Sequence, residues 1–501
     1  MNFKLPKIVI NPALVITLLL AILLLFFTVK GTKKTYYDQS LYDTSMGSPF
    51  ESSNNSSRYA LTEAITNRLS FILTPEEAKF SSPDVAKKNN RYFSLFMPGV
   101  SVLGAPLFYI GKYLGFPQLT TYLLNGIISL VCLLFIVKIS RKIGANKNWS
   151  IISGFLFIFS SNVWAYSLGY TQHLLTTLLV LIGLKIIQNK INVLNNLFLG
   201  VVFGAGLMVD LPNAIILLPI VIYQILRHFE VTYKTFKINW KLLLLAVGVV
   251  PFIASFIGYN ILTTGSPLSP AQFLGRTSDF FVTQEEINIY EASRTEPKTG
   301  ISLPFKSRKQ LQGLYILIVS NERGILYYSP VLILGLFGFY ISSKNRGSLS
   351  FNQVTLGIIG LNLFVYAMFG DPWGGWSFGP RYMIPATAVI MIYFPFFFES
   401  KKYRVLKSIL MVILASYSIY LSSLGALTTS MVPPKQEAIY FTNPIPYTPQ
   451  LNKEFIETKT SSLFYNLVLN DKISTLAYSR VILSLCLIYL FGMTIYANTH
   501  D

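Results

Sequence analysis

Charge is what this chain has least of. Asp, Glu, Lys and Arg make up 13% of its 501 residues, against 52% hydrophobic residues and a mean hydropathy of +0.50. A soluble domain carries roughly twice that share of charge, so a water-soluble globule is excluded. Cysteine is nearly absent: Cys132 and Cys486 both lie inside apolar runs, which rules out a disulfide framework or a cysteine metal site and leaves packing as their role. The sequence also lacks a nucleotide-binding glycine loop, HExxH and CxxC, the local patterns behind phosphate cradles, zinc hydrolysis and thiol redox. No internal repeat or low-complexity tract is present. Whatever this chain does is done by apolar segments and the loops between them.

Apolar runs of about 17–22 residues recur along the whole length, enough to cross a bilayer as helices. They predict an all-α polytopic membrane protein with about twelve spans: 8–29, 119–138, 149–167, 172–189, 196–209, 212–227, 242–262, 325–342, 353–369, 383–398, 408–427 and 478–497. The first run is too long for a signal-peptide core and has no small-residue cleavage site before "KGTKK", so it is expected to stay as an anchor. With "MNFKLPK" on the cytoplasmic side, the short basic loops "SRKIGANKN", "NKINVLNN", "RHFEVTYKTFKINWK", "SSKNRGS" and "ESKKYRVLKS" all fall there too. That satisfies the positive-inside rule and accounts for much of the net charge of +19 without nucleic acid. Both termini are then cytoplasmic, in a plasma (inner) membrane.

The acids segregate the other way. Of 22 Asp and Glu, only Glu230, Glu399 and Asp501 fall on the cytoplasmic side, so carboxylate chemistry belongs outside. The organisation expected is a bundle over 1–427 with outer loops at 30–118 and 263–324, an outer C-terminal loop over 428–477, and a last span and tail over 478–501. Within the first loop, "SSRYALTEAITNRLSFIL" reads as an amphipathic helix with a Ser cap, and "TPEE" opens another at Thr74. The apolar piece 96–115 is read as a juxtamembrane or re-entrant helix interrupted at Pro98, Gly99, Gly104 and Pro106, because counting it as a span inverts every later loop. "LYILIVSNERG", 314–324, is read the same way. Lys306, Arg308 and Lys309 are solvated or headgroup contacts.

One stretch, "GDPWGGWSFGPRYM" at 370–383, packs two tryptophans, an aspartate, an arginine and four glycines into a supposed connector. On this topology it meets other ionisable and aromatic residues at the outer level: Asp371, Trp373, Trp376 and Arg381 from the stretch itself, Arg323 from "SNERGILYYSP", Tyr170 and His173 from "YSLGYTQH", Asp210 at a span tip, and Asp84 and Arg58 from the first loop. Ionisable groups at membrane depth face a cavity or one another. Such a ring suits an anionic, lipid-borne substrate, with Arg forks on phosphate and aromatic faces on sugar. Each residue also has a plainer reading. The tryptophans can be interface anchors, Arg323 and Arg381 can pair with Glu322 and Asp371, His173 can be a packing histidine, and Asp210 or Asp84 can cap a turn.

The ordered pieces "SSRYALTEAI", "SSPDVAKKNNRYFSLFMPGVSVLGAPLFYIG", "TQHLLTTLLVLIGL", "GLMVDLPNAIILLP", "YNILTTGSPLSP", "SNERGILYYSPVLIL" and "GGWSFGPRYMIP" resemble the GT-C superfamily of polyprenyl-phosphate-sugar glycosyltransferases, in particular its protein mannosyltransferase-like group. The resemblance covers roughly 57–390. It implies inverting transfer of a sugar from a lipid-phosphate carrier to a glycan, lipid or protein acceptor, with a first-loop Asp as base and basic residues on the leaving phosphate. This chain lacks the Asp-Glu pair that the best-known members carry soon after the first span. Its candidates for the base are Asp84, then Asp43 and Asp38, with Asp84 placed before a "RYFSLFMPG" helix. Arg323, Arg381 and Arg58 are the candidates for phosphate, and Asp371, Trp373, Trp376, His173, Tyr170 and Asp210 for sugar or acceptor. A divalent cation is left open as cofactor, with no DxD pair to hold one. A lipid-linked-sugar flippase and an inactive relative are the rival readings. Spans apolar in their middles, with ionisable groups crowded at one end, favour a one-sided enzyme.

Overall fold

The computed structural model describes residues 11–39, 42–232, 235–281, 310–345, 349–368, 371–438, 445–447 and 449–500. Lys306, Arg308, Lys309 and Asp501 lie outside them. Each of the twelve predicted spans overlaps helix: the first is Pro12–Thr28, the second Pro117–Lys142, the last Thr475–Thr499, while 149–167, 212–227 and 325–342 each break into two helices. Among the described residues, five helices are by length and composition long and apolar enough to cross a membrane, and six shorter apolar helices accompany them. The chain is a polytopic, mainly α-helical membrane protein.

Local chemistry sets the helix ends. Asn11, Asn146, Asn192 and Ser474 each cap a helix start by accepting backbone N–H groups, the preferred use of those side chains. In the bundle centre lie Lys147–Phe159, buried from Asn148 onward, and Ile384–Tyr393, buried at every residue. A helix apolar all round needs neighbours on all sides. Its polar ties are sparse: Ser140 Oγ donates to the Ile392 carbonyl at 2.7 Å, and Ser153 Oγ to that of Met391. Cys132 and Cys486 are buried free thiols, as expected.

The first loop differs from its sequence reading in three ways. The helix after Ser52 starts earlier, at Ser53, runs to Arg68 and is not amphipathic: Asn54 to Thr62 are all buried, because other loops close over it. "VAKKNNRYFS" is a β-hairpin, Val85–Lys88 against Arg91–Ser94, rather than the lead-in to a helix. Its two-residue turn places Asn89 and Asn90 at φ 49° and 60°, the left-handed pair that tight hairpins need and Asn tolerates. The segment 96–115 forms one continuous helix, Gly99–Leu114, that carries Pro106 in its interior. Its small face packs inward, while Leu103, Tyr109, Ile110 and Tyr113 stay exposed. The predicted cap at Thr74 is present as a reciprocal pair with Glu77. A second hairpin, Phe229–Thr232 with Thr235–Ile238, completes the strands among the described residues.

Glycine allows close helix contact. A Cβ on Gly200 would sit 2.1 Å from the Leu245 carbonyl oxygen, and one on Gly248 2.3 Å from that of Leu197, so Val193–Val209 and Leu243–Thr264 meet backbone to backbone. Gly248→Val should therefore cost about 1–3 kcal/mol by forced separation. Gly360→Ala, with nothing within 4 Å of the new methyl, should be neutral or stabilising. Thermal melts of the two variants in the same detergent measure the contrast.

Candidate active site

The loop end of the bundle is held together by buried charge. Lys30, just past the first span, donates to Glu51 at 2.6 Å, with side chains 3% and 1% exposed. Glu51 also accepts from the Gly47 N–H at 2.6 Å, from the Ser430 N–H and Oγ at 2.7 and 2.8 Å, and from Thr429 Oγ1. Burial works to raise its proton affinity, but Lys30 and the hydroxyl and amide donors outweigh it and hold the carboxyl below its ordinary value. One carboxylate thus joins the first span, the first loop and the segment after Leu427. Sequence reasoning missed it. No motif marks Glu51; it stands out only as the sole acid between Asp43 and Glu63.

Arg323 is a second tie. It is fully buried, and its guanidinium donates to the carbonyls of Trp373, Glu322, Gly375 and Val432 at 2.9, 2.8, 3.3 and 2.7 Å. With four bonds spent on backbone, it fixes the "GDPWGGW" turn to the 432 region instead of facing phosphate. Trp373 is held as well, its Nε1 donating to the Glu322 carboxylate. Tyr170 is likewise structural: its hydroxyl bonds Thr62 Oγ1 at 2.8 Å and the Val100 carbonyl at 3.1 Å, with the ring stacked on Tyr122. It offers no face to a sugar.

Arg381 is placed differently. The chain wraps it through Gly374, Gly375 and Gly379, at φ 75°, 65° and 61°, a conformation that glycine alone adopts freely. A Cβ on Gly374 would stand 2.8 Å from Arg381 Nε. That Nε is buried without a hydrogen-bond partner. Tyr382, the next residue, stacks on Tyr366 with centroids 4.1 Å apart and planes 6° apart, and His173 meets Tyr382 and Tyr166 edge-on. Arg381 lines a polar cavity with Lys30, Asn55, Tyr166, Thr171 and Ser430. The cavity is about 10 Å³, room for one water at most, where the sequence reading expects an open hollow. This is a closed arrangement.

Around it, polar atoms are buried with no partner among the described residues: Arg58 Nε, Asn162 Nδ2, Thr171 Oγ1, Gln172 Oε1, His173 Nε2, Asp371 Oδ1 and Arg381 Nε. Asp371 spends its other oxygen on the Gly375 N–H. Burial raises its carboxyl above the ordinary 3.8, against the pull of Arg381 and Gly375. Arg58 lies over the Phe96 ring, 3.8 Å from its centroid, and bonds Asn54. Burial lowers it to about 10, with Asp210 and Asp84 opposing and Arg381 reinforcing the shift. Asp210 accepts from Gln172 Nε2 at 3.0 Å.

The structure brings Arg58, Arg381, Asp371, Asp210, His173 and Asp84 to one end and leaves Asp38 and Asp43 apart. Asp84 is engaged, accepting from Ser53 Oγ at 2.7 Å and from Arg276 at 2.8 Å. Asp43 is half-buried and takes the Ser45 N–H in a turn, while Asp38 is exposed at the end of Lys33–Tyr37. Trp376 sits half-buried in the same glycine-rich turn. No group of three or more His, Cys, Asp or Glu fit to hold a metal ion occurs among the described residues.

No protein-family model matches the sequence, and no curated protein does. Among solved structures, the chain is similar to the Archaeoglobus fulgidus oligosaccharyltransferase tethered with an acceptor peptide. The identity is 12% and the TM-score 0.49, over 83% of this chain and 54% of that one. It is also similar to ArnT from Cupriavidus metallidurans, in the apo state and bound to undecaprenyl phosphate, at 11% identity and TM-score 0.48, over 97% of this chain and 75% of that one. This chain therefore spans about half the length of the oligosaccharyltransferase. The likeness is one of overall chain course, and no residue role is drawn from it.

The Glu51 network yields a prediction. Glu51→Gln or Lys30→Met alone leaves a buried charge uncompensated and should cost about 3–5 kcal/mol, while the double variant recovers part of the loss. Because the folded carboxyl sits below its ordinary value of 4.5, its stabilisation is complete above that pH and is lost as pH falls through the lower folded value. Thermal melts across acid pH should show that component in the wild type and not in Glu51→Gln.

Proposed function

We propose that this chain is a membrane glycosyltransferase that moves a sugar from a polyprenyl-phosphate carrier to an acceptor hydroxyl of a glycan, lipid or protein on the non-cytoplasmic side. The observation that carries the reading is Arg381, a half-buried residue whose buried Nε has no hydrogen-bond partner among the described residues, lining a polar cavity among other unpartnered acceptors and donors. Arranged cations and amides stabilise charge as it develops on a leaving phosphate. The order of motifs along the sequence supports the same chemistry. The distribution of Lys and Arg supports both termini in the cytoplasm and the site outward.

In the proposed reaction the acceptor oxygen forms a bond to the anomeric carbon from the face opposite the phosphate. The bond from that carbon to the phosphate oxygen breaks, its electron pair stays on the phosphate, and the configuration inverts. A carboxylate takes the acceptor proton. Asp371 suits that role better than Asp84, since one of its oxygens is unpartnered and burial favours its protonated form, whereas Asp84 is already held by Arg276 and Ser53. Arg381 receives the phosphate, with Arg58 beside it. The Tyr366–Tyr382 stack and His173 supply faces for the sugar. Admitting a sugar phosphate requires the first loop and the segment around Ser430 to move apart from the closed arrangement.

The test is turnover by the purified protein with a panel of polyprenyl-phosphate sugars, read as released carrier phosphate. Arg381→Ala should lower turnover about 100- to 1,000-fold while melting like the wild type. Asp371→Asn should abolish turnover, and Asp84→Asn should retain most of it. The acid limb of the wild-type pH–rate profile should lie above 3.8, with activity lost as pH falls and Asp371 takes up a proton. Wild-type turnover in Arg381→Ala removes the phosphate assignment, and retention in Asp371→Asn with loss in Asp84→Asn moves the base to Asp84.

A further inference from the structure

The basic loops that orient the chain also build something. At the end of the bundle away from the candidate active site, the turn after Pro117–Lys142 meets the turn before Arg404–Leu427. Between them lies a cavity of about 360 Å³. It is far larger than the cavity beside Arg381 and within the range that small ligands occupy.

Its floor is aromatic. Trp149 stacks flat on Phe398, with centroids 3.6 Å apart and planes 2° apart, and Phe396 lies alongside. Trp149 is fully buried, lines the cavity, and its Nε1–H has no hydrogen-bond partner. A buried indole N–H ordinarily finds an acceptor. The rim is basic: Lys401 and Arg404 line it, with Glu399 as the one acid. The two turns, 139–147 and 399–408, carry seven Lys or Arg against that single acid. Arg404 is anchored by a bond to the Ala497 carbonyl at 3.3 Å, so the last helix also positions the rim.

We infer that this cavity binds a phosphate-bearing anion, with Lys401 and Arg404 on the phosphate and the buried Trp149–Phe398 stack supporting the lining beneath the ligand. An aromatic floor under a cationic rim suits a phosphate ester, and the volume exceeds what a bare phosphate fills. The chemistry is shared by an anionic lipid headgroup at the membrane surface and by free phosphate in solution. This site is separate from the proposed transfer site, and its test does not read transfer.

Full-length protein is purified from phosphatidylcholine nanodiscs with and without phosphatidylglycerol, and the lipid retained after detergent extraction is counted by native mass spectrometry. A parallel arm titrates inorganic phosphate by calorimetry. The wild type should retain phosphatidylglycerol over phosphatidylcholine, or bind inorganic phosphate if the free anion is the source. Lys401→Gln with Arg404→Gln should reduce the bound anion about 10- to 30-fold. Because that pair could disturb the Ala497 anchor, Ala145→Leu provides a second variant. It fills the cavity from a neutral lining position, keeps every charge, and should reduce binding similarly. Binding of neither anion by the wild type overturns the inference. So does undiminished binding in Ala145→Leu, which would show attraction to the basic surface alone.

Discussion

A polar group buried beside a lipid bilayer has no water to fall back on, so it binds a partner within the protein or waits for one from outside. That constraint organises the loop end of this molecule. Glu51 and Arg323 are saturated: five donors converge on one, and four backbone carbonyls surround the other. Between them they clamp the first loop, the glycine-rich turn and the segment around Ser430 into one block. Held by that clamp, Arg381 and its neighbours keep donors and acceptors that the protein does not use. Saturated groups make the frame, and unsaturated ones make the site.

The division explains why residues alike in sequence differ in role. Arg323 and Arg381 both stand beside aromatic, glycine-containing motifs, and both read as phosphate ligands. The first lies where three chain segments present carbonyls and is used up by them. The second follows three left-handed glycines, and the missing Cβ of Gly374 leaves its guanidinium room. Asp84 and Asp371 differ in the same way, one neutralised by Arg276 and the other left with an unpartnered oxygen.

Much of the fold was legible because its signals are local and periodic. Each apolar run marked helix, since apolar length and helix go together along the chain. What the sequence hid was set by tertiary pairing. "VAKKNNRYFS" carries a two-asparagine hairpin turn that its apolar residues masked. Pro106 looked like an interruption, yet the helix runs through it. Glu51 has no motif because its importance lies in donors that come from as far along the chain as Ser430. The closed state of the cavity also had no counterpart in the sequence, since residue pattern says which groups converge and not how tightly.

The two ends of the bundle then present opposite designs: carboxylates, arginines and tyrosines drawn tightly together at one, and a roomier basic hollow over stacked aromatic rings at the other. We propose that the unspent donors around Arg381 serve a phosphate carried on a lipid. The most direct test compares the melting temperature of the purified protein with a polyprenyl phosphate and with the polyprenol of the same chain length. Preferential binding to the folded state raises that temperature. The account predicts a rise with the phosphate, none with the alcohol, and no rise with either in Arg381→Ala. Equal shifts from both lipids, or a phosphate shift that survives the loss of Arg381, would contradict it.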